Sequence, residues 1–518
     1  MTLTLQIEKL IYGGDGLARL PADEHGRGKT AFVPFVIPGE QVEASPVETR
    51  PGFVRAALDK VLTVSPERVE PACPYFGRCG GCHYQHINYH GQLRYKAEIL
   101  RETLRRTAKL ELAEDIQLHA SPPWNYRSRT RLRVRHVPDF ALGYFRYNSH
   151  EVLPVESCPI SSPLINQAIA AVWKLGRDGA VPQNLHGLQF FANHDDTKLL
   201  VEVYVRPGEN SHPGKSSPST SSGQALGGAP GERSGRASLQ ARVPSRDPVL
   251  HPPLRSATSA EDAISLDSRD ASLKARSTPK PESWTSATQL QPFAAALRRE
   301  LPQLAGVVIF PTSVLEDETL QRAPLTAIHP ESSQAIGDES LLYHAVGHDY
   351  RVSGGSFFQT NRFLTDTLLQ VVIAGAKGRG ALDLYAGAGL FTAHLARNFD
   401  TVLAVESSPH SFADLRQNVP HNVKCIRSTT ERFLAERAAK LAPDLVVVDP
   451  PRAGLGEKAA RALGRMTVPR VTYVSCDPAT LSRDLRVLLE FNFRVEQAHL
   501  VDMFPQTFHM ETVLHLAR

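Results

Sequence analysis

Features of secreted and membrane proteins are scarce in this 518-residue sequence. Six cysteines are few for this length, which argues against a disulfide-based scaffold. No run of 18 apolar residues occurs, which excludes a conventional membrane-spanning helix. The start, MTLTLQIEKL, lacks the basic-then-apolar layout of a signal peptide. We therefore expect a cytoplasmic protein with no membrane partner.

A large excess of charge of one sign is also lacking. Lysine and arginine total 58 against 54 aspartate and glutamate, so the net charge is only +4. This mild excess agrees with an anionic partner without identifying one. The hydrophobic content of 42% is ordinary for a globular protein, and the length allows three or four domains. Composition alone does not establish nucleic-acid binding.

The pattern along the chain predicts a multidomain α/β protein. Residues 1–62 are short apolar runs broken by GGDG, HGRG and IPGE turns, which indicates a small β-barrel of the OB type. Residues 63–345 are expected to form a central α+β domain with a cysteine cluster. Within it, residues 207–292 are rich in Ser, Pro, Gly, Ala and Arg without hydrophobic period, and we expect a disordered insertion. Residues 346–518 alternate strands and helices, which predicts a doubly wound, Rossmann-like sheet with an antiparallel final strand.

A cofactor motif is expected where the first strand of this sheet ends, in DLYAGAGLFT. Asp383, Gly387 and Gly389 fall here, and glycines at this position let the backbone approach a ligand. Glu406 ends the next strand, where it would accept hydrogen bonds from two ribose hydroxyls. No third glycine stands at the dinucleotide spacing, so S-adenosylmethionine is favoured, with NAD as the alternative.

An acidic turn ends the fourth strand, in DLVVVDPPRAGL. Asp449 would either bind a base edge or orient the cofactor, and the alternative is a plain helix cap. Enzymes that methylate amines use a similar turn followed by an aromatic residue that stacks on the base. Arg452 occupies that place here, which argues against an amine target.

Cys476 follows the fifth strand, in VTYVSCDPATLSRDL. Most free cysteines are simply buried, but a thiol beside a methyl donor suits one difficult substrate, C5 of uracil. Addition of a thiolate to C6 turns C5 into an enolate carbon that attacks the methyl group. The C5 proton must then leave, and Glu511, an acidic residue in the apolar final strand, is our candidate base.

The other cysteines of interest lie in the N-terminal half, at Cys73, Cys79, Cys82 and Cys158. Four thiolates are enough for zinc or a [4Fe-4S] cluster. A triplet with one distant cysteine is more typical of a cluster, which we favour. Under the zinc alternative His83 and His86 are further candidate ligands; otherwise we expect them to be surface histidines.

A run of alternating arginines, NYRSRTRLRVRH, follows a helical segment. On a β-strand all five guanidinium groups would share one face, and no acidic residues are interleaved. The alternative is a solvated strand face, but we favour contact with RNA phosphates. The residues are Arg127, Arg129, Arg131, Arg133 and Arg135.

The motifs FFQTN, DLYAGAGLF, DPPRAG, SCDPATLSRDL and FPQTFHMETV resemble, in this order, the RNA (uracil-5-)-methyltransferase family. The resemblance implies a class I S-adenosylmethionine-dependent enzyme. It implies Cys476 as nucleophile and Glu511 as proton acceptor, with Asp449 near the uracil. Around the cofactor it implies Gln359, Tyr385, Glu406 and Asp449.

Two further stretches refine the resemblance. IYGGDGLARL with AFVPFVIPGEQV resembles the RNA-binding TRAM domain, and CPYFGRCGGCHYQH with ESCPI resembles the iron-sulfur subset of the family. This implies a monomer acting on RNA, with 23S rRNA as the expected substrate and tRNA as the alternative. The chain departs from the family in having Asp477 after the nucleophile, where Asn is common, and Leu390 after the second glycine, where a polar residue is common.

Two rival functions remain open. A radical S-adenosylmethionine methylthiotransferase also combines a cluster with an accessory barrel, but it requires a CxxxCxxC triplet and leaves Cys476 and Glu511 unexplained. A non-catalytic RNA-binding protein with a relic methyltransferase fold is the other rival. The presence of both Cys476 and Glu511 argues against it.

Overall fold

The computed structural model describes residues 2–21, 28–206, 287–311 and 333–518, which all belong to one compact unit. Residues 207–286, most of the predicted disordered insertion, lie outside the described residues. For residues 287–292 the prediction of disorder was wrong. They form the first turns of a helix that begins at Ala287, and Leu290 is fully buried against the central sheet.

The N-terminal segment forms a six-stranded sheet in the order β1-β5-β6-β4-β3-β2. Its strands alternate buried and partly exposed residues because only one face covers the core of this segment. Its description as an OB-type TRAM barrel stays a prediction. The strands are β1 Leu3–Gln6, β2 Lys9–Leu10, β3 Asp15–Arg19, β4 Thr30–Pro34, β5 Gln41–Arg50 and β6 Phe53–Thr63.

The central segment builds a seven-stranded sheet in the order β10-β9-β8-β11-β12-β13-β14. Two helices, α2 and α3, pack on one face of it through aliphatic side chains. The elements are α1 Tyr89–Thr103, β7 Gln117–His119, β8 Arg129–Arg135, β9 Ala141–Phe145, β10 Val152–Pro154, α2 Pro163–Arg177, β11 Leu185–Ala192, β12 Leu199–Val205, α3 Ala287–Glu300, β13 Leu304–Pro311 and β14 Gln334–Gly337.

The C-terminal segment has a hairpin followed by alternating helices and strands, as predicted. Its strands β17 to β21 are parallel, and the central strand β20 is buried on both faces, which explains its sequence LVVV. The elements are β15 Ser340–Ala345, β16 His348–Ser353, α4 Thr365–Val372, β17 Gly378–Leu384, α5 Leu390–Leu395, β18 Phe399–Glu406, α6 Pro409–Asn418, β19 Val423–Arg427, α7 Thr430–Arg437, β20 Leu445–Val448, α8 Gly456–Gly464, β21 Arg470–Ser475, α9 Pro478–Leu489, β22 Arg494–Val501 and β23 Glu511–Ala517.

The C-terminal sheet has eight strands in the order β19-β18-β17-β20-β21-β23-β22-β7. The final strand β23 runs antiparallel between β21 and β22, which confirms the predicted antiparallel strand. The outermost strand, β7, comes from the predicted central segment and pairs in parallel with β22. Helix α1 likewise packs into the same core as α9. Residues 89–119 therefore belong with the C-terminal sheet in space. Among the described residues, no helix is both long and apolar enough to cross a membrane.

Candidate active site

The parallel strands bring the predicted site residues to one edge of the C-terminal sheet. Strands β17, β20 and β21 end directly before Tyr385, Asp449 and Cys476. Glu511 opens β23, whose direction is reversed, so its first residue lies at this same edge, with Thr512 opposite Ser475. The topology therefore brings the candidate nucleophile, the candidate base and the acidic turn together.

Cys476 lies half-buried between β21 and α9. The pKa of its thiol is raised to about 12, first by burial and then by the carboxylates of Glu511 and Asp449. Arg452 acts in the opposite direction and lowers the pKa of this thiol. A thiolate at this position therefore depends on positive charge nearby.

Carboxyl groups crowd the edge around this thiol. Burial raises the pKa of Asp449 to about 7. Burial and Asp449 together raise the pKa of Glu511 well above its ordinary value, while Arg452 lowers it. Asp383 is fully buried, which raises its pKa to about 7 with smaller contributions from Asp449 and Glu406. Like charges in one buried site oppose joint ionisation of these groups.

The glycine-rich turn after β17 takes backbone conformations that favour glycine. Gly387 and Gly389 have φ of 56° and 94°. A Cβ on Gly389 would lie 3.0 Å from Leu415 Cδ1, which leaves little room for a side chain. Gly387 N donates to Glu406 Oε2 at 2.8 Å, which ties this turn to the end of β18. The turn and the acid that were predicted to bind a cofactor therefore meet.

The fit of these residues to a cofactor rests on Asp383 and Glu406. Asp383 Oδ2 accepts from the Thr392 hydroxyl, whereas its Oδ1 is buried without a hydrogen-bond partner. Glu406 Oε1 accepts from the backbone N of Ser407 and of Ser408 at 2.7 and 2.6 Å. Both carboxylates are thus fixed in place, and the free acceptor on Asp383 suits a hydrogen-bond donor on a ligand.

Two other predicted cofactor residues lie on neighbouring segments. Tyr385 has φ of 62°, and its hydroxyl donates to Glu431 Oε1 at 2.8 Å. Gln359 is buried in the loop between β16 and α4. Buried contacts hold this loop, since Gly355 N donates to Glu202 Oε1 at 3.2 Å. Direct roles of Tyr385 and Gln359 toward a cofactor stay predictions.

The two departures from the family pattern have local explanations. Asp477 is the N-cap of α9, and its Oδ1 accepts from Ala479 N and Thr480 N, both at 2.9 Å. Leu390 begins α5 and is buried in the core beside β17. Neither residue replaces a reacting group.

Sequence reasoning missed the role of Arg452, which it considered only as the replacement for an aromatic residue. Its charge lowers the pKa of Cys476, Glu511 and His509, and its Nη2 lies 3.3 Å from His509 Nε2. A cation directly after an acidic turn was the available signal. Arg452 is thus a counter-charge to Glu511 and to a Cys476 thiolate at this edge of the sheet, the candidate reacting edge.

The loop between β22 and β23, residues 502–510, is held by α1. Lys96 and Asp502 are fully buried and form an ion pair of 2.6 Å. Gln506 has φ of 69°. Its backbone N donates to Gln92 Oε1 at 2.9 Å, and Gln92 Nε2 donates to Gln506 Oε1 at 3.0 Å. The backbone N of His83 also donates to Gln506 O at 2.9 Å. The chain leading to Glu511 is therefore fixed by the N-terminal half.

The four predicted cysteine ligands line one cavity of about 200 Å³ together with Arg127 and Arg131. Burial raises the pKa of Cys79 to about 11, and Cys158 contributes by its charge. Among the described residues no three His, Cys, Asp or Glu side chains are placed to hold a single metal ion. The lining cysteines are Cys73, Cys79, Cys82 and Cys158.

The two histidines beside this cavity are not simple surface residues. His86 is buried, and its Nε2 lies 3.2 Å from Val36 O, so the surface expectation was wrong for it. His83 is partly buried and packs its ring against Phe508 at 4.6 Å. Burial lowers the pKa of each to about 4. Neither lines the cysteine cavity.

The arginine strand differs from the prediction at its first positions. Arg129 is buried, donates to Glu202 Oε1 at 2.5 Å and also donates to Ser356 O. The prediction that Arg129 contacts phosphate was therefore wrong, because β8 lies inside the sheet and this face is covered. Arg127 and Arg131 face the cysteine cavity instead of an open surface. RNA contact by Arg133 and Arg135 stays a prediction.

Comparisons with known proteins found similar RNA methyltransferases. Residues 333–518 match a family model described as tRNA (Uracil-5-)-methyltransferase. An uncharacterized RNA methyltransferase from Aquifex aeolicus is 28% identical over 533 aligned residues, covering 99% of this chain and 97% of that one. Another from Thermotoga maritima is 26% identical, covering 99% of this chain and 98% of that one. Similarity to RNA methyltransferases thus extends over nearly the whole chain.

A solved structure shares the fold. It is the Pyrococcus abyssi tRNA (uracil-54, C5)-methyltransferase in complex with S-adenosyl-L-homocysteine, with a TM-score of 0.64. The alignment covers 99% of this chain and all of that chain at 20% sequence identity. At this identity the likeness establishes a common fold.

Proposed function

We propose that this chain methylates C5 of a uridine in 23S rRNA through a covalent Cys476 adduct, because residues 333–518 match the (uracil-5-)-methyltransferase family model and RNA methyltransferases are similar to it over nearly the whole chain. The observation that carries the proposal is the meeting of Cys476, Asp449 and Glu511 at one sheet edge. A thiol, a base and an acidic turn together suit a carbon nucleophile that must first be activated.

In the proposed reaction the Cys476 thiolate donates its electron pair to C6 of uracil, and the C5–C6 π electrons move toward C5 and O4. When bound, S-adenosylmethionine supplies the electrophilic methyl group that C5 attacks. Glu511 then accepts the C5 proton, the C5–C6 double bond re-forms, and the S–C6 bond breaks. Arg452 favours the thiolate and the ionised Glu511, since it lowers the pKa of both.

The proposed cofactor residues divide into two groups. Asp383 and Glu406 offer carboxylates fixed by the turn after β17, with one free buried acceptor on Asp383. Gln359 and Tyr385 are proposed to complete the site. The uridine must leave its stack to reach this recessed edge, as bases generally must for enzymes that act on them.

Two classes of RNA are candidate substrates. We propose 23S rRNA on the resemblance of the motifs, and tRNA is the second candidate, since the Pyrococcus abyssi structure bears the name of a tRNA (uracil-54, C5)-methyltransferase. The test is mass-spectrometric mapping of 5-methyluridine in both RNAs from cells with and without the gene. We expect one 23S site to be lost and then restored by the wild-type gene but not by Cys476→Ala. Loss of a tRNA site alone would replace rRNA by tRNA, and no lost site in either RNA would contradict the activity.

We further propose that Cys73, Cys79, Cys82 and Cys158 hold a [4Fe-4S] cluster. These four thiols line one cavity, and four thiolates are enough to hold such a cluster. Arg127 and Arg131 place positive charge beside these thiols. Protein purified without oxygen should contain iron and acid-labile sulfide in equal amounts, about four of each per chain. One zinc ion per chain instead would contradict the cluster.

A further inference from the structure

The turn between β2 and β3, IYGGD, reaches the active site from the N-terminal sheet. Gly13 and Gly14 have φ of 110° and 97°, and Ile11 N donates to Asp15 O at 3.0 Å. A Cβ on Gly14 would lie 3.1 Å from His83 Cβ. The turn is therefore packed closely against the segment that carries the cysteines.

The side chain at the tip of this turn is Tyr12. Its hydroxyl donates to the backbone O of Cys476 at 3.3 Å. Its ring meets Phe508 edge-on, with centroids 5.4 Å apart and planes at 89°. Phe508 in turn packs against His83. Tyr12 is thus held by an aromatic contact on one side and touches the backbone of the proposed nucleophile on the other.

The charges around Tyr12 are those of the reacting edge. The pKa of its phenol lies well above its ordinary value, first because of burial and then because of Asp477 and Cys476, while Arg452 lowers it. The phenol therefore remains neutral, and remains a hydrogen-bond donor, over the working pH range. A neutral donor suits a backbone carbonyl oxygen.

We propose that Tyr12 is a positioning residue for Cys476, so that the N-terminal sheet completes the active site in addition to any contact with RNA. The inference rests on the nucleophilic role proposed for Cys476. The carbonyl that accepts from Tyr12 belongs to the residue joining β21 to α9. Holding this carbonyl fixes the peptide from which the thiol projects and restricts its approach to C6.

The test is Tyr12→Phe, which keeps the ring and its contact with Phe508 but removes the hydroxyl. The matched control is Tyr147→Phe, because Tyr147 also packs near His83 but contacts Phe35 instead of the reacting edge. We expect Tyr12→Phe to lower kcat about 3- to 10-fold, the effect of one neutral hydrogen bond, with KM for RNA unchanged. The control should retain wild-type kcat and KM.

A second measurement isolates the nucleophile. RNA with 5-fluorouridine at the target traps the covalent adduct, because fluorine cannot be removed as a proton. Tyr12→Phe should slow this trapping by the same factor as kcat, while its thermal midpoint stays within about 2 °C of wild type. Unchanged trapping, a higher KM with unchanged kcat, or an equal loss in Tyr147→Phe would overturn the inference. Absence of any adduct with the wild-type protein would instead overturn the proposed covalent mechanism.

Discussion

At the scale of single residues, Asp477, the acid beside the proposed nucleophile, has two effects. Asp477 caps α9, and its carboxylate accepts two backbone hydrogen bonds that partly neutralise its charge. It nevertheless raises the pKa of Cys476, although less than burial, Glu511 and Asp449 do. Asp477 therefore caps the helix while its charge opposes ionisation of the thiol.

Asp477→Asn should lower the pKa of the Cys476 thiol, because the negative charge next to it is removed. Below the thiol pKa the alkylation rate follows the thiolate fraction, so Cys476 should react faster with iodoacetamide at pH 8. Stability should change by less than about 0.5 kcal/mol, since Asn and Asp are similar N-caps. The measurement is mass spectrometry of the Cys476 peptide over a pH series.

The control for this change is Asp444→Asn. Asp444 precedes β20 and so lies at the opposite edge of the same sheet, where it accepts from Arg379 N and Gly380 N. Removing its charge should leave the alkylation of Cys476 unchanged. An unchanged or slower rate in Asp477→Asn would show that its charge does not act on the thiol.

At the scale of elements, the loop before Glu511 depends on a buried ion pair with α1. Lys96 Nζ donates to Asp502 Oδ1 at 2.6 Å and to Phe504 O at 3.0 Å. The Tyr89 hydroxyl donates to Asp502 Oδ2 at 2.9 Å. The Asp502 carboxylate thus accepts from two groups, and its buried charge is compensated only while the Lys96 cation remains.

Lys96→Met should lower the free energy of unfolding by about 3–5 kcal/mol, because Asp502 is left as an uncompensated buried charge. The measurement is urea unfolding followed by circular dichroism. The control on the same helix is Arg94→Met, which removes a pair with Glu67 that is half-exposed. It should cost less than about 1 kcal/mol. Equal losses in the two variants would mean that burial does not set the strength of the Lys96 pair.

The ion pair of Lys96 and Asp502 could not be predicted from the sequence. Cys476 and Asp449 could be predicted as candidate site residues because each directly follows an apolar strand, and parallel strands share one carboxyl edge. Glu511 opens an antiparallel strand and was predicted only as an acidic residue in an apolar run. Lys96 carried no such signal, since a lysine between apolar residues on a helix is usually solvated. Its partner lies 406 positions away in the chain. Contacts of this range depend on the packing of whole elements.

The arginines of β8 illustrate the same limit. Alternation correctly placed their side chains on one face of a strand but did not indicate whether that face is open. Arg129 is covered through Glu202 and Ser356, and Arg131 stacks on Tyr204 with its guanidinium 3.8 Å from the ring centroid. The local pattern thus determines on which face of the strand a side chain lies, whereas the burial of that side chain depends on strands that are distant in sequence.

At the scale of the whole molecule, segments before residue 333 support both loops that frame the site. Arg129 and Glu202 of the central sheet hold the loop that carries Gln359. Gln92 and Lys96 of α1 hold the loop that leads to Glu511. The C-terminal part that matches the family model therefore supplies the proposed reacting groups, and earlier segments of the chain hold the loops around them.

The short strand β7 has a consequence for solubility. It lies at the edge of the C-terminal sheet and covers β22, with Gln117 opposite His499 and His119 opposite Val501. A bare β22 would present unpaired N–H and C=O groups, which are a template for pairing with another molecule. Residues 333–518 contain β22 but not β7. If residues 333–518 were separated from the rest of the chain, the edge of β22 would be exposed to such pairing. In the whole chain the three residues of β7 cover this edge.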